Sequence, residues 1–234
     1  ADGTFRETRY DLDDNPFETV DENGTRVAQT YDALDRLADV QVARGAGVLG
    51  TVAQSFDYDG LSRLTRALDV DQDGAASEVA FAYDSLSRPL EEAQDGHVVS
   101  SSWAGDGRRL ALTYASGTRL DLRHDALKRL AAIGEGGRDV ATWAWVGPGL
   151  RPLRRATGNG VSLSFAWDEA RRVSRMRSLG PRGEPLADLG YEYDRAGNRT
   201  AERRLHEGRE DRFTYDSAYR LASATYGGTL GAPF

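Results

Sequence analysis

Apolar and polar side chains alternate along this chain in stretches of five to eight residues, and clusters of Gly, Asp and Asn separate the stretches. A period of two is typical of a β-strand, and the stretches are too short for helices. The clusters supply the positive backbone dihedrals that tight hairpins need. They lie at residues 21–24, 45–50, 71–74, 95–96, 116–117, 134–137, 158–160, 180–185, 207–208 and 227–228. The pattern predicts an all-β chain in which strands and turns form a long antiparallel meander.

A second landmark recurs every 20 to 27 residues: an aromatic residue, an Asp directly after it, and an Arg five residues after the aromatic. The clearest copies are Tyr31, Asp32 and Arg36; Tyr58, Asp59 and Arg63; Tyr83, Asp84 and Arg88; Trp167, Asp168 and Arg172; and Tyr215, Asp216 and Arg220. Weaker copies are Tyr10-Asp11, Trp103 with Arg108, His124-Asp125 with Arg129, Trp145, and Tyr193-Asp194 with Arg199 one place late. These ten units predict a single repeat domain over residues 1–234.

The Asp and Arg of each unit have a structural explanation. An Asp just after a strand can accept hydrogen bonds from the backbone of the following turn, and an Arg at the start of the next strand lies close enough to pair with it. Repeated along the chain, such pairs would fix the register of the meander. We interpret these residues as architecture rather than catalysis.

Six units carry a second aromatic residue two places before the first. A spacing of two puts both rings on one face of a strand, and stacked repeats would then line the rings into rows across the sheet. The pairs are Phe56 and Tyr58, Phe81 and Tyr83, Trp143 and Trp145, Phe165 and Trp167, Tyr191 and Tyr193, and Phe213 and Tyr215. We predict that these rings pack rather than bind.

Composition excludes several functions. The chain has no cysteine, so it lacks a disulfide framework and thiolate chemistry. Its net charge is -7, and its 30 basic residues are spread among more numerous acids, which argues against a nucleic-acid partner. No apolar run is long enough to span a membrane. The three histidines, His97, His124 and His206, fall in different units and no catalytic motif accompanies them, so an enzyme is not predicted.

Two motifs resemble ligand sites. Asp69, Asp71 and Asp73 alternate before Gly74, which matches the first half of a calcium loop but lacks the closing Glu. The alternative is an acid-rich hairpin tip, so calcium stays a hypothesis. Residues 45–50 fit the dinucleotide pattern G-x-G-x-x-G, but they occupy a hairpin slot without the strand-to-helix context. No other cofactor is predicted.

The pattern Y-D-x-x-x-R-L, as in residues 31–37 and 58–64, resembles the YD repeat of Rhs proteins, also called the RHS repeat. Residues 193–199 resemble the variant of this family with Gly-Asn before the Arg. The resemblance extends over nearly the whole chain because the pattern recurs at the right interval. It departs from the pattern at Trp103 and Trp145, which lack the Asp, and at Tyr10, where Asn15 and Pro16 replace Arg-Leu.

The resemblance implies a structural scaffold. YD repeats in Rhs effectors, insecticidal toxin complexes and teneurins form β-hairpins that spiral into a hollow shell, which in the toxins encloses a polypeptide cargo. This chain would be a curved segment of such a wall, in a secreted or cell-surface protein. Its expected partners are adjoining repeats or another chain at the sheet edges. The aspartate-rich self-cleavage segment of the family has no counterpart in residues 226–234.

Geometry favours the same architecture, because a meander of about twenty strands exceeds the size at which open sheets stay flat. Two alternatives remain open from the sequence. A β-propeller also uses about forty residues per four-stranded blade, the length of two units here. The chain could also be an extracellular module that holds a glycan or a receptor through exposed aromatics and arginines.

Overall fold

The computed structural model describes residues 5–230, and every regular element in that range is a β-strand. The predicted all-β hairpin class is therefore confirmed. Contacts divide the chain into two compact units, Ala1–Thr118 and Arg119–Phe234. The same repeat continues through both units, so one repeat domain over 1–234 stays a prediction. Of the tail 226–234, residues 231–234 lie outside the described residues.

The first unit is an antiparallel meander in which each strand pairs with the next along the chain. Each pairing follows from the short connections, because a tight turn can join only antiparallel neighbours. Its strands are β1 Glu7–Tyr10, β2 Pro16–Val20, β3 Arg26–Tyr31, β4 Leu37–Ala43, β5 Thr51–Tyr58, β6 Leu64–Asp71, β7 Ala76–Tyr83, β8 Pro89–Gln94, β9 His97–Trp103 and β10 Arg109–Thr113.

The second unit repeats this arrangement. Its strands are β11 Arg119–His124, β12 Leu130–Glu135, β13 Arg138–Val146, β14 Arg151–Thr157, β15 Ser162–Trp167, β16 Val173–Leu179, β17 Pro185–Tyr193, β18 Arg199–Arg204, β19 Arg209–Tyr215 and β20 Leu221–Thr229. Within each unit the strand pairing is continuous, and it is not interrupted after every four strands as it would be between the blades of a propeller. The β-propeller alternative is therefore wrong.

Connections of two kinds alternate along each meander, which places the two kinds at opposite ends of the strands. Each kind forms a row along one of the two edges of the sheet that the strand ends make. The predicted Gly and Asp clusters form one edge, as at residues 71–74 between β6 and β7. The aromatic-Asp units form the other edge, and we call each of them a corner. Each corner begins with a shift in strand register, for example between Asp57 and Tyr58.

One predicted turn is wrong. Residues 227–228 lie inside β20, which continues to pair with β19 through Gly228 opposite Glu210. Gly227 has a φ of 70°, and its N–H donates to the Asp211 carboxylate at 2.7 Å. The glycine therefore accommodates a shift in register within a strand instead of reversing the chain.

The described residues contain no large, fully buried side chain, and the buried apolar residues are small except for Val40. Two compact units, each of half the 25.6 kDa mass and packed in two layers around a core, would together expose about 12,500 Å². This chain exposes 15094 Å². Each unit is thus one layer of sheet, and its stability must come from the strand pairing and from contacts along the layer.

Candidate functional site: the ladder of repeat corners

Eight of the ten corners have an Asp directly after the ring, and this Asp closes the turn. In the corner that follows β3, the Asp32 carboxylate accepts the backbone N–H groups of Leu34 at 2.8 Å and Arg36 at 3.1 Å, and Nε of Arg36 at 2.7 Å. The Asp32 N–H donates to the Arg36 carbonyl, and Asp35 adopts a φ of 57° to complete the turn. The predicted Asp–Arg pair is therefore present. The same pair closes the corners of Asp59, Asp84, Asp125, Asp168 and Asp216.

These contacts favour the ionised carboxylates. The hydrogen bond from the Arg36 side chain, helped by the backbone N–H groups of the turn, holds the pKa of Asp32 below its ordinary value. The Arg63 and Arg129 side chains lower the pKa of Asp59 and Asp125 in the same way. At Asp84, Asp168 and Asp216 the largest cause of the lowered pKa is the backbone N–H of the corner Arg, and its side chain adds to it.

The Arg of a corner also reaches the next corner, an interaction that the sequence analysis did not find. Arg36 donates from Nη1 to the carbonyl of Asp59 at 3.3 Å, and its guanidinium carbon lies 4.6 Å from the centroid of the Tyr58 ring. The Tyr58 hydroxyl donates back to the carbonyl of Leu37 at 3.0 Å. Neighbouring corners, two strands apart, are thus fastened by a cation-π contact and two hydrogen bonds. We call this series of contacts the corner ladder.

The corner ladder continues along the first unit. Arg63 lies over the Tyr83 ring at 4.7 Å, and the Tyr83 hydroxyl donates to the Leu64 carbonyl at 2.9 Å. Arg88 lies over the Trp103 ring at 5.7 Å and donates to the Ala104 carbonyl. Trp103 has no Asp after it, yet its Nε1 donates to the carbonyl of Pro89 at 2.8 Å. The indole thus takes the place of the tyrosine, and the departure from the motif leaves the ladder intact.

The second unit contains the same ladder. Arg129 lies over Trp145 and Arg172 lies over Tyr193, at 5.6 and 4.6 Å. The rings donate back to the carbonyls of Leu130 and Val173. Beyond Trp145, which lacks the Asp, Arg151 lies over the Trp167 ring, and the Trp167 Nε1 donates to the Pro152 carbonyl at 2.9 Å. The two corners that start with Trp103 and Trp145 are therefore members of the ladder.

The corner at Tyr193 corrects one assignment. Asp194 pairs with Asn198, whose backbone and side-chain nitrogens lie 2.9 and 2.8 Å from the carboxylate. Arg199, expected to pair one place late, instead meets Glu202 at 2.8 Å and lies 5.2 Å from the Phe213 ring. The turn places the residue that bonds the Asp carboxylate four positions after the Asp, and Asn198 occupies that position.

The ladder changes at its two ends within the described residues. At the first corner, Asn15 replaces the Arg and bonds Asp11, and the Tyr31 hydroxyl still donates to the carbonyl of Pro16 at 3.1 Å. At the last corner, Arg220 pairs with Asp216, but its side chain is 80% exposed. The corresponding Arg side chains within the ladder are 12% to 31% exposed. The guanidinium of Arg220 is thus accessible to a further aromatic ring.

The prediction of aromatic rows is correct only in part. The register places the paired rings on one face, but a ring and the equivalent ring of the next unit are separated by an intervening strand. Phe56, for instance, lies opposite Ala67, which in turn lies opposite Val79. Ring contacts in the described residues join Phe81 to Tyr83 and Phe165 to Trp167 within single strands. Between strands, Phe213 meets Tyr226 edge to face at 6.2 Å.

The three acids of the half calcium loop do not converge. Asp69 accepts hydrogen bonds from Thr51 at 2.9 Å and Gln54 at 2.7 Å. Asp71 accepts two backbone N–H groups of the turn, and Asp73 accepts the side-chain amide of the residue before it. Across residues 5–230, no three acidic or histidine side chains are grouped as a metal site requires. Calcium binding would need a rearrangement of this hairpin tip, and it stays a hypothesis.

Residues 45–50 lie in the predicted hairpin slot, between the antiparallel strands β4 and β5. The Gly50 N–H donates to the side chain of Gln72 at 2.7 Å, and Arg44 donates to the carbonyl of Val48 at 2.7 Å. The segment holds its own turn, and the element that follows it is the strand β5 where the dinucleotide motif requires a helix. In the part of the chain that is described, no helix is long and apolar enough to cross a membrane.

Solved structures share this arrangement. The Photorhabdus luminescens Tc holotoxin pore matches 94% of the chain with a TM-score of 0.71 and 21% identity. The chain has the fold of the YD-repeat shell proteins. TcdB2-TccC3-TEV and TcdB2-TccC3 without its hypervariable C-terminal region also match 94% of the chain, each with a TM-score of 0.63 and 20% identity.

The resemblance to YD repeats is thereby confirmed for the fold. The chain spans only 12% to 13% of the length of these structures. No protein-family model matches the sequence, and no curated protein matches it. In this YD-repeat fold, the motif residues lie at the corners. Five arginines each connect their own Asp to the ring of the next corner: Arg36, Arg63, Arg88, Arg129 and Arg172.

Proposed function

We propose that the chain is a structural wall segment of a secreted or cell-surface YD-repeat protein, and that the wall encloses a polypeptide cargo. The single-layer architecture carries this proposal. The accessible surface of 15094 Å² exceeds by about a fifth the value of about 12,500 Å² for two compact units of half this mass, and the described residues contain no large, fully buried side chain. A sheet with two open faces suits a partition between two spaces, and the likeness to Tc toxin structures supports the same role.

The mechanism is exclusion. Adjacent strands lie about 4.8 Å apart and their backbone groups are paired, so a polypeptide cannot pass between them. The corner ladder fixes one edge of each meander and keeps neighbouring hairpins in register. This role uses packing and hydrogen bonding and requires no reacting group, so we infer that the segment is not an enzyme.

The proposed partners are adjoining YD repeats or another chain. Among residues 5–230, β1 pairs with β2 and β20 with β19 within their units, and the opposite side of each strand has no partner there. Unpaired strand edges are templates for further pairing. The open Arg220 supports this assignment, because a following corner would place an aromatic ring beneath its guanidinium, as Tyr58 does for Arg36.

Small-angle scattering with a parallel mass measurement tests the proposal. A compact globule of 234 residues has a radius of gyration of about 17 Å. We expect a monomeric particle with a clearly larger radius, and hydrogen exchange that is slow in the inner strands of each unit. A radius near that of the globule would contradict the wall. Saturable, sub-millimolar binding on a glycan panel would instead favour an extracellular binding module.

A further inference from the structure

Three arginines gather on one face of the second unit. Arg154 of β14 lies opposite Ser164 of β15, and Ser164 lies opposite Arg177 of β16. Directly opposed residues of paired strands share a face, so the side chains of Arg154, Ser164 and Arg177 form a row about 10 Å long across two strand spacings. Arg175 lies two residues from Arg177 on the same face. A depression of about 230 Å³ is lined by Ser164, Arg175 and Arg177, together with Phe165 and Ala166.

One carboxylate offsets only part of this charge. Asp188 is buried and accepts two hydrogen bonds from Arg175, at 2.7 and 2.6 Å, which account for both of its oxygens. Arg177 approaches it only at 3.4 Å, and the Arg177 side chain is 44% exposed. Arg154 is exposed and has no ion pair or hydrogen bond within residues 5–230. Three positive charges and one negative charge leave a net charge of +2, on a chain whose net charge is -7.

We propose that Arg154, Ser164 and Arg177 form a binding site for an oxyanion, of phosphate or carboxylate type. A guanidinium presents donors in a planar fork that suits such anions. Arg177 lines the depression, and Arg154 lies on the other side of β15, opposite the Ser164 that also lines it. The Ser164 hydroxyl lies between them and makes only a long bond, of 3.4 Å, to the carbonyl of Arg177, so it can turn toward a ligand. Arg175 donates to both oxygens of Asp188, so we do not count it among the groups that bind the anion; its side chain lines the depression.

The site does not depend on the wall function. A free phosphate and an acidic side chain of a polypeptide offer the same oxygens, so the two sources must be separated by experiment. A fixed positive site on a mainly acidic chain would hold an acidic segment at a defined place on this face.

Isothermal titration calorimetry tests the site with two probes, inorganic phosphate and a hexaglutamate peptide, at low and at physiological salt. We expect saturable binding of at least one probe that weakens at least five-fold in Arg154→Ala and in Arg177→Ala. The matched control is Arg155→Ala. Arg155 is also exposed and is the next residue of β14, but it lies opposite Leu163 and so points to the other face. Its loss removes the same charge and should leave binding unchanged.

Tighter binding of phosphate would identify a free anion as the ligand, and tighter binding of the peptide would identify a carboxylate-bearing segment. No saturable binding of either probe to the wild-type chain would overturn the proposal. Equal weakening by Arg155→Ala would also overturn it, because it would show attraction to net charge without a site. If Arg177→Ala fails to fold, Arg154→Ala decides alone, since Arg154 has no structural partner in the described residues.

Discussion

Removing one hydroxyl from the corner ladder tests whether the ladder stabilises the sheet. In Tyr83→Phe the ring stays beneath Arg63, 4.7 Å from its guanidinium, and beside Phe81 at 6.2 Å. The variant loses only the bond to the Leu64 carbonyl, which measures 2.9 Å. A hydrogen bond of this kind contributes about 0.5–1.5 kcal/mol. In Tyr83→Leu the cation-π contact is lost as well, which adds roughly 0.5–1 kcal/mol.

The assay is urea unfolding followed by tryptophan fluorescence, with the free energy of unfolding extrapolated to water. Tyr114→Phe is the matched control, because Tyr114 lies in the same unit and its hydroxyl makes no hydrogen bond within the described residues. A double-mutant cycle of Arg63→Ala with Tyr83→Leu should give a coupling of about 0.5–1 kcal/mol. If Tyr83→Phe matched the wild type, or if the control lost as much stability, the ladder would not contribute as we argue.

Three further predictions concern the corners and the hairpin tip. The corner Asp residues have a pKa lowered from 3.8 in the folded chain. Their ionised form therefore stabilises the fold above that pH, and this stabilisation is lost as the pH falls through the lower folded pKa. The urea concentration at the unfolding midpoint should decrease once the pH is lowered below about 4, and it should decrease less steeply in Asp59→Asn. Arg171→Gly should stabilise by roughly 0.5–1 kcal/mol, because Arg171 has a φ of 65°, whereas Gly197→Ala, at a φ of 94°, should destabilise in the same unfolding assay. The calcium hypothesis predicts saturable heat on titration of the chelator-treated protein that disappears in Asp71→Asn, and an absence of heat in the wild type would remove it.

Sequence reasoning succeeded where a residue type determines its own surroundings. Asp-Gly and Asn-Gly pairs mark turns because few other residues adopt their dihedrals, and an Asp after a strand bonds the N–H groups that the turn leaves free. The strands, the hairpin edge and the Asp32–Arg36 pair followed from such local rules. Gly227 shows their limit: a positive φ fits both a turn and a shift of register, and only the pairing of β20 with β19 distinguishes them.

The contacts between corners were missed because they depend on register. Arg36 meets a carbonyl 23 residues further along the chain, and nothing near Arg36 in the sequence indicates that the next corner lies within its reach. The assignment of Arg199 to Asp194 was wrong for a related reason. It matched residue types, whereas the turn fixes a position, and Asn198 occupies that position.

The corner ladder also explains a regularity in the choice of aromatic residues. Within each unit, the ring of every corner after the first carries a donor and bonds a backbone carbonyl beside the preceding corner. Tyr58 uses its hydroxyl and Trp103 its indole nitrogen. A phenylalanine there would leave that carbonyl without its partner. Two places earlier a donor is not required: Phe56, Phe81, Phe165 and Phe213 occupy that position in four units, and Trp143 and Tyr191 occupy it in the other two. The carboxylate of the Asp, by contrast, bonds groups of its own turn, and this is why the corners at Trp103 and Trp145 can lack it while their rings still bond the preceding corners.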